Sequence, residues 1–195
     1  MAKVKVLHIT KWFPNKADEQ LGIFIEKHIR ATQPFTEAHV FHLLPADVDS
    51  ASIDYSQNNG MPTTTLTYPS ESSAIYKMCV FSFEIKKALK SITDKFGEPD
   101  LIHGHIYAQP AFIARRYFKQ TPLIMSDHWT GFVNGYYDAF PAWKKAAFRK
   151  SSQWAFCTTV PSPFLKEAMV KHGFQGQFQI MGNVIESVPK VEKAD

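Results

Sequence analysis

Two short apolar runs in this sequence end in histidine. Leu123-Ile124-Met125-Ser126 reads as a buried strand running out into Asp127-His128-Trp129-Thr130-Gly131, and upstream Asp100-Leu101-Ile102-His103 leads to Gly104-His105. Polar residues at the carboxyl ends of strands sit where open α/β sheets bind ligands. An imidazole there can donate a hydrogen bond to a sugar hydroxyl or a phosphate oxygen, and it titrates near neutral pH. His128 is therefore the sharpest catalytic candidate, against a plainer reading in which the turn backbone satisfies it. Asp127 either orients His128 or accepts a substrate hydroxyl; its plainer reading is an Asx-turn that bonds its own backbone. Trp129, in the same turn, joins them as a binding candidate.

His103 and His105 stand two apart on a strand and project to one face. Together with His128 they invite a metal reading, because imidazole suits zinc, iron or copper. No ligand motif spacing supports it and nothing beyond Asp127 offers a further ligand, so neither metal nor cofactor is expected. The plainer arrangement has His103 packing and His105 facing the crevice. Gly22, at the start of a helix, lets a ligand approach backbone N–H groups at a positive helix end, unless it serves the turn alone. Dinucleotide, nucleophile-elbow and Walker glycine patterns are absent, and Ser162 reads as a helix cap.

Elements that alternate along the chain must position these residues. Val4 to Thr10 is the first strand, followed by a polar loop from Lys11 that closes at Gly22. Leu21, Phe24, Ile25, His28, Ile29 and Thr32 then recur at helical spacing. Ala38 to Leu44 is a second strand, Asp47 to Pro62 a long surface loop, and Thr63 to Tyr68 a third strand. Ser72 or Ser73 caps a helix whose buried stripe is Met78, Phe81, Ile85, Leu89 and Ile92. Asp100 to His103 is the fourth strand, and a helix opens near Gln109-Pro110. Leu123 to Ser126 is the fifth strand. Pro141 opens a helix through about Ser151, Trp154 to Val160 is a sixth strand, Ser162-Pro163 starts a helix that stops at Gly173, and Phe178 to Met181 is the last strand. Strands alternating with helices predict an α/β, Rossmann-like, doubly wound and mainly parallel sheet with helices on both faces. Residues 1–186 make one domain, and the polar segment 187–195 is a linker or chain end.

Composition narrows the class. The 195 residues are 45% hydrophobic and 21% charged, ordinary for a globular chain. A net charge of +4 is too small to argue for nucleic acid without a clustered patch. Cys79 and Cys157 show no metal-type spacing and read as reduced thiols. No apolar stretch reaches signal-peptide or membrane-spanning length, so a cytoplasmic location is expected. Residues 136–150, YYDAFPAWKKAAFRK, are basic and aromatic. In helical projection Trp143, Ala146 and Ala147 share one face and Lys145 and Arg149 the opposite one, with Phe148 beside the basic side. Such a segment can meet anionic lipid at the inner face of a membrane, or it is a helix with a solvated basic face.

Taken in order, VKVLHIT with the loop to Gly22, PDLIHGH, SDHWTG, and CTTVPSPFLKEAMVKHG followed by GNVIE resemble the N-terminal, acceptor-side domain of a retaining GT-B glycosyltransferase of family 4. The resemblance covers nearly the whole chain. It implies that Gly22 lies near acceptor and donor phosphates, His128 at the reaction centre and His105 on the acceptor side. It also implies hexosyl transfer from a nucleotide-sugar to a glycan, lipid or small acceptor in polysaccharide or glycolipid biosynthesis, with no required metal. His128 would position acceptor or sugar, and catalysis would rest on stabilising the departing diphosphate. The pattern departs from the family at Leu21, where a second glycine is common, and at Asn183-Val184, where asparagine-glycine is usual. The donor site would belong to a C-terminal domain absent here, so this chain alone is expected to be inactive. Two rivals remain open: a non-catalytic binding module working with a partner chain, and a metal-dependent hydrolase using His103, His105 and His128.

Overall fold

The computed structural model describes residues 2–71 and 81–184. Eight strands form a single sheet: β1 (Val4–Thr10), β2 (Thr36–Ala46), β3 (Ser52–Asn58), β4 (Met61–Pro69), β5 (Leu101–His105), β6 (Leu123–Ser126), β7 (Cys157–Val160) and β8 (Phe178–Ile180). Their order is β3-β4-β2-β1-β5-β6-β7-β8. Every pairing is parallel except β3 with β4. Among the described residues five α-helices connect them: α1 (Ile23–Thr32), α2 (Phe81–Phe96), α3 (Gln109–Tyr117), α4 (Ala142–Ser152) and α5 (Pro163–Lys171).

Topology places the crevice. From β1 the chain winds outward to β2 and β4, then crosses back to lay β5 on the other side of β1. The strand order therefore reverses between β1 and β5, and the carboxyl ends of these two strands splay apart there. Residues after Thr10 and after His105 are brought face to face.

Strand alternation divides the core. Leu7, Ile9, Phe41, Leu43, Leu66 and Ile102 pack against α2 and α3, where Ile85, Leu89, Ile92, Ala111 and Ala114 are buried. On the opposite face Ala38, Val40 and Met61 pack with Phe13 and with Ile25 and Ile29 of α1.

Several sequence expectations change. The supposed loop from Asp47 to Pro62 contains β3, which pairs antiparallel with β4 from Ser52↔Thr67 to Asn58↔Met61. Asn59 and Gly60 both take positive φ, 48° and 79°, the requirement of a tight hairpin turn and the reason for the Asn-Gly pair. β3 was hidden because SIDYSQN is an exposed edge strand with little apolar patterning. β5 runs on through His105 rather than stopping at His103, and β7 starts at Cys157, not Trp154. Gly22 takes φ 67°, and a Cβ there would collide with the Trp12 carbonyl. Ser162 caps α5, accepting from Leu165 N at 3.2 Å. In α4 the expected faces are exchanged. Trp143 is 73% exposed, whereas Phe148 packs onto the core, because the aromatic group of Trp129, Tyr137 and Phe140 lies on its side of the helix. Cys157 is a free, buried thiol. The expected helix cap at Ser72 or Ser73, Met78, Cys79 and the segment 187–195 lie outside the described residues.

Candidate functional site

The residues just beyond β1 and β5 line a cavity of about 320 Å³. Lys11 and Trp12 come from the β1 end. His105, Ile106, Tyr107, Ala108, Gln109 and Pro110 come from the β5 end and the first turn of α3. Trp129, Phe140, Lys144 and Phe148 close the far side. The walls are mostly aromatic: Trp129 stacks on Phe140 with centroids 5.6 Å apart, and the Lys144 ammonium stands 3.5 Å from the Phe140 ring centre, a cation–π contact. Gln109 Oε1 is buried there without a hydrogen-bond partner.

Local constraints shape this wall. Ile106 sits at φ 63°, a conformation β-branched residues rarely adopt. Its N–H donates to the Ser126 carbonyl at 2.8 Å. Asp127 is fully buried. Its Oδ2 accepts from Tyr107 N at 3.0 Å and its Oδ1 from Trp129 N at 2.8 Å. Burial pushes its pKa up to about 7 against these two amide donors, which favour the charge. Asp127 thus ties the β6 turn to the β5 turn and keeps no oxygen facing the cavity. Gly131 is needed because a Cβ there would strike the Trp129 indole.

Of the residues singled out in the sequence, His105 and Trp129 line the cavity. His128 points toward α1, its ring 4.6 Å from Phe24 and 5.3 Å from His28. Gly22 is buried against the β1 loop.

Sequence reasoning missed the partners of His105. His8 on β1 lies opposite His103 in the β1–β5 register, and its Nδ1 is 3.2 Å from His105 Nε2. The rings of His103 and His105 stack at 4.2 Å. His103 Nε2 bonds Ser126 Oγ at 2.7 Å. One ligand nitrogen from each of His8, His103 and His105 lies within 4.8 Å of the others, so the trio that converges contains His8 in place of the expected His128. Burial holds the His8 and His105 rings well below the ordinary imidazole range, and the neighbouring histidines press the same way. His103 and His128 are lowered to about 4, chiefly by burial. All are neutral at physiological pH. The only sequence signal for His8 was its place on β1, and adjacency of β1 to β5 is a property of topology.

A family model described as Glycosyltransferase Family 4 matches residues 37–186. The chain belongs to Glycosyltransferase Family 4. Solved structures share the fold. Sucrose-phosphate synthase from Thermosynechococcus elongatus is 15% identical, with TM-score 0.63, covering 92% of this chain and 48% of that one. HepE from Anabaena in complex with UDP is 12% identical, with TM-score 0.56 and coverage of 96% and 47%. A trehalose-6-phosphate structure from E. coli bound with UDP-2-fluoro glucose is 8% identical, with TM-score 0.54 and coverage of 93% and 49%. No curated protein sequence matches. This family 4 chain has the Rossmann-like fold of a GT-B N-terminal domain and spans about half the length of these structures.

Proposed function

We propose that this family 4 chain is the acceptor-binding half of a retaining hexosyltransferase that moves a sugar from a nucleotide-sugar to a glycan, lipid or small-molecule acceptor. The observation that carries the reading is the aromatic, lysine-bearing cavity at the reversal point between β1 and β5. Aromatic faces such as Trp12, Trp129 and Phe140 bury the apolar side of a sugar ring or lipid. The unpartnered Gln109 Oε1 matches a hydroxyl donor, since a buried acceptor costs free energy until it is bonded. Lys11 and Lys144 suit an acidic group on the acceptor. His128 follows the crevice strand end but turns its ring toward Phe24 and His28 of α1; its assigned role is to orient a hydroxyl on that side of the crevice, not to act as nucleophile. We assign acceptor binding to this half of the fold and the donor site to the half that this chain does not span.

In the complete enzyme, His128→Ala lowers kcat by on the order of 10²-fold with an unchanged circular dichroism spectrum. Unaltered turnover removes His128 from the site; absence of any transfer by the complete unsubstituted protein favours a binding module. Contact with anionic membrane is also proposed for α4, because Trp143 is exposed and Lys150, seven residues on and so on the same helical face, is exposed as well. Trp143→Ser combined with Lys150→Glu should weaken sedimentation with anionic vesicles several-fold. Equal sedimentation would leave this face simply solvated.

A further inference from the structure

We propose that His8, His103 and His105 form a binding site for one divalent first-row transition-metal ion of the zinc class, set beneath the acceptor cavity. The three rings project from one face of adjacent strands, with centroids 5.2, 5.5 and 4.2 Å apart. Zinc–imidazole bonds of about 2.0–2.1 Å put two nitrogens of a tetrahedral site roughly 3.4 Å apart. His8 Nδ1 and His105 Nε2 already stand 3.2 Å apart, and one nitrogen from each of the three rings lies within 4.8 Å of the others.

Unmet hydrogen-bonding capacity points the same way. The facing nitrogens, His8 Nδ1 and His105 Nε2, already partner each other, while the far nitrogens of the same two rings, His8 Nε2 and His105 Nδ1, are buried without partners, as is Nδ1 of His128. Folded proteins leave few buried polar atoms unpaired, and a group of such atoms in one place calls for a ligand. The donor set chooses its chemistry. Imidazole nitrogens without a carboxylate suit zinc, nickel or copper rather than magnesium or calcium, and both oxygens of nearby Asp127 are committed to backbone amides. The Ser126 hydroxyl on His103 Nε2, itself 2.5 Å from Thr159 Oγ1, orients that ring as outer-shell partners of metal ligands do. His105 lines the cavity, which gives an ion a way in. Bound there, the ion would cross-link β1 to β5 at the crevice floor. The inference stands on the histidines alone and does not depend on the transferase reading.

The test takes the 195-residue chain, strips it with chelator and titrates it with zinc chloride by calorimetry. One ion per chain is expected, with a Tm that rises with zinc concentration. Cobalt(II) in place of zinc should give the visible absorption of a tetrahedral nitrogen-ligated ion. His8→Phe and His103→Phe, which fill the space of the lost ring, should each weaken zinc binding at least about tenfold, and His172→Ala should leave it unchanged. Absence of saturable zinc binding overturns the site. Equal affinity in the His8→Phe and unsubstituted proteins overturns it too, as does stabilisation by inorganic phosphate in place of zinc. If the phenylalanine variants misfold, the cobalt spectrum of the unsubstituted chain decides, and a chain without the tetrahedral bands refutes the proposal.

Discussion

The two faces of the sheet are built from the same strands and carry different residues. Toward α2 and α3, β1 and β2 present Leu7, Ile9, Phe41 and Leu43, which interdigitate with a broad apolar cluster. Toward α1 they present His8, Thr10 and His42 beside the smaller group of Ala38 and Val40. On the first face burial and packing stabilise the fold at about 25 cal/mol per Å² of apolar surface. On the second, side chains are just as deeply buried but include imidazoles with nitrogens unsatisfied, each costing about 1–3 kcal/mol if left so. A fold keeps such residues against their cost where chemistry or binding needs them, and these stand at the carboxyl ends where the crevice opens.

That contrast can be broken by substitution. Phe41→Ala, on the apolar face, should destabilise by about 3–5 kcal/mol in urea unfolding. A loss below about 1 kcal/mol would mean the α2 face does not carry the core. The pH dependence comes next in size. His39, on the α2 face with its ring on Thr64 Oγ1, and His42, on the α1 face, are both lowered from 6.5 to about 4, chiefly by burial. Below pH 6.5 the unfolded chain takes up protons that the folded chain refuses. Stability is therefore full above pH 6.5 and declines as pH falls toward 4. Asp127, raised from 3.8 to about 7, runs the other way, losing stability as pH rises from 4 to 7, but it is one group against these two and five further histidines lowered by burial. A urea midpoint that stays flat between pH 7.5 and 4.5 would contradict this balance. His28→Leu should change stability least, from no effect to a gain of about 1 kcal/mol, because it replaces a buried imidazole that burial already penalises with leucine, which favours helix. A loss as large as that of Phe41→Ala would show the two faces to be energetically alike.

Much of this architecture was legible in the chain. β1, α1, β6 and α5 announced themselves through apolar runs, helical spacing and the Ser162-Pro163 start, because local sterics and burial impose those patterns directly. β3 was not legible, since this edge strand carries only Ile53 and Tyr55 on its inner face, too short an alternation to stand out among the Ser, Asp, Asn and Gln around it. The orientation of α4 escaped for a related reason. Its small residues and lysines left the helical projection undecided until Trp129, Tyr137 and Phe140 supplied a surface for Phe148.

The candidate site divides the same way. His105, Asp127, His128 and Trp129 could be placed at strand ends from sequence, because a strand that stops in polar residues marks its own end. What each does there depended on neighbours far along the chain. Asp127 is committed to the Tyr107 and Trp129 amides, His128 faces α1, and His105 meets His8 across 97 positions of sequence. Sequence by itself determined the alternating α/β pattern and which residues could stand at the crevice, since period and turn chemistry are local. The order of strands that sets β1 beside β5, and so joins His8 to His103 and His105, was decided only by tertiary packing, where the burial of whole faces selects one arrangement of elements.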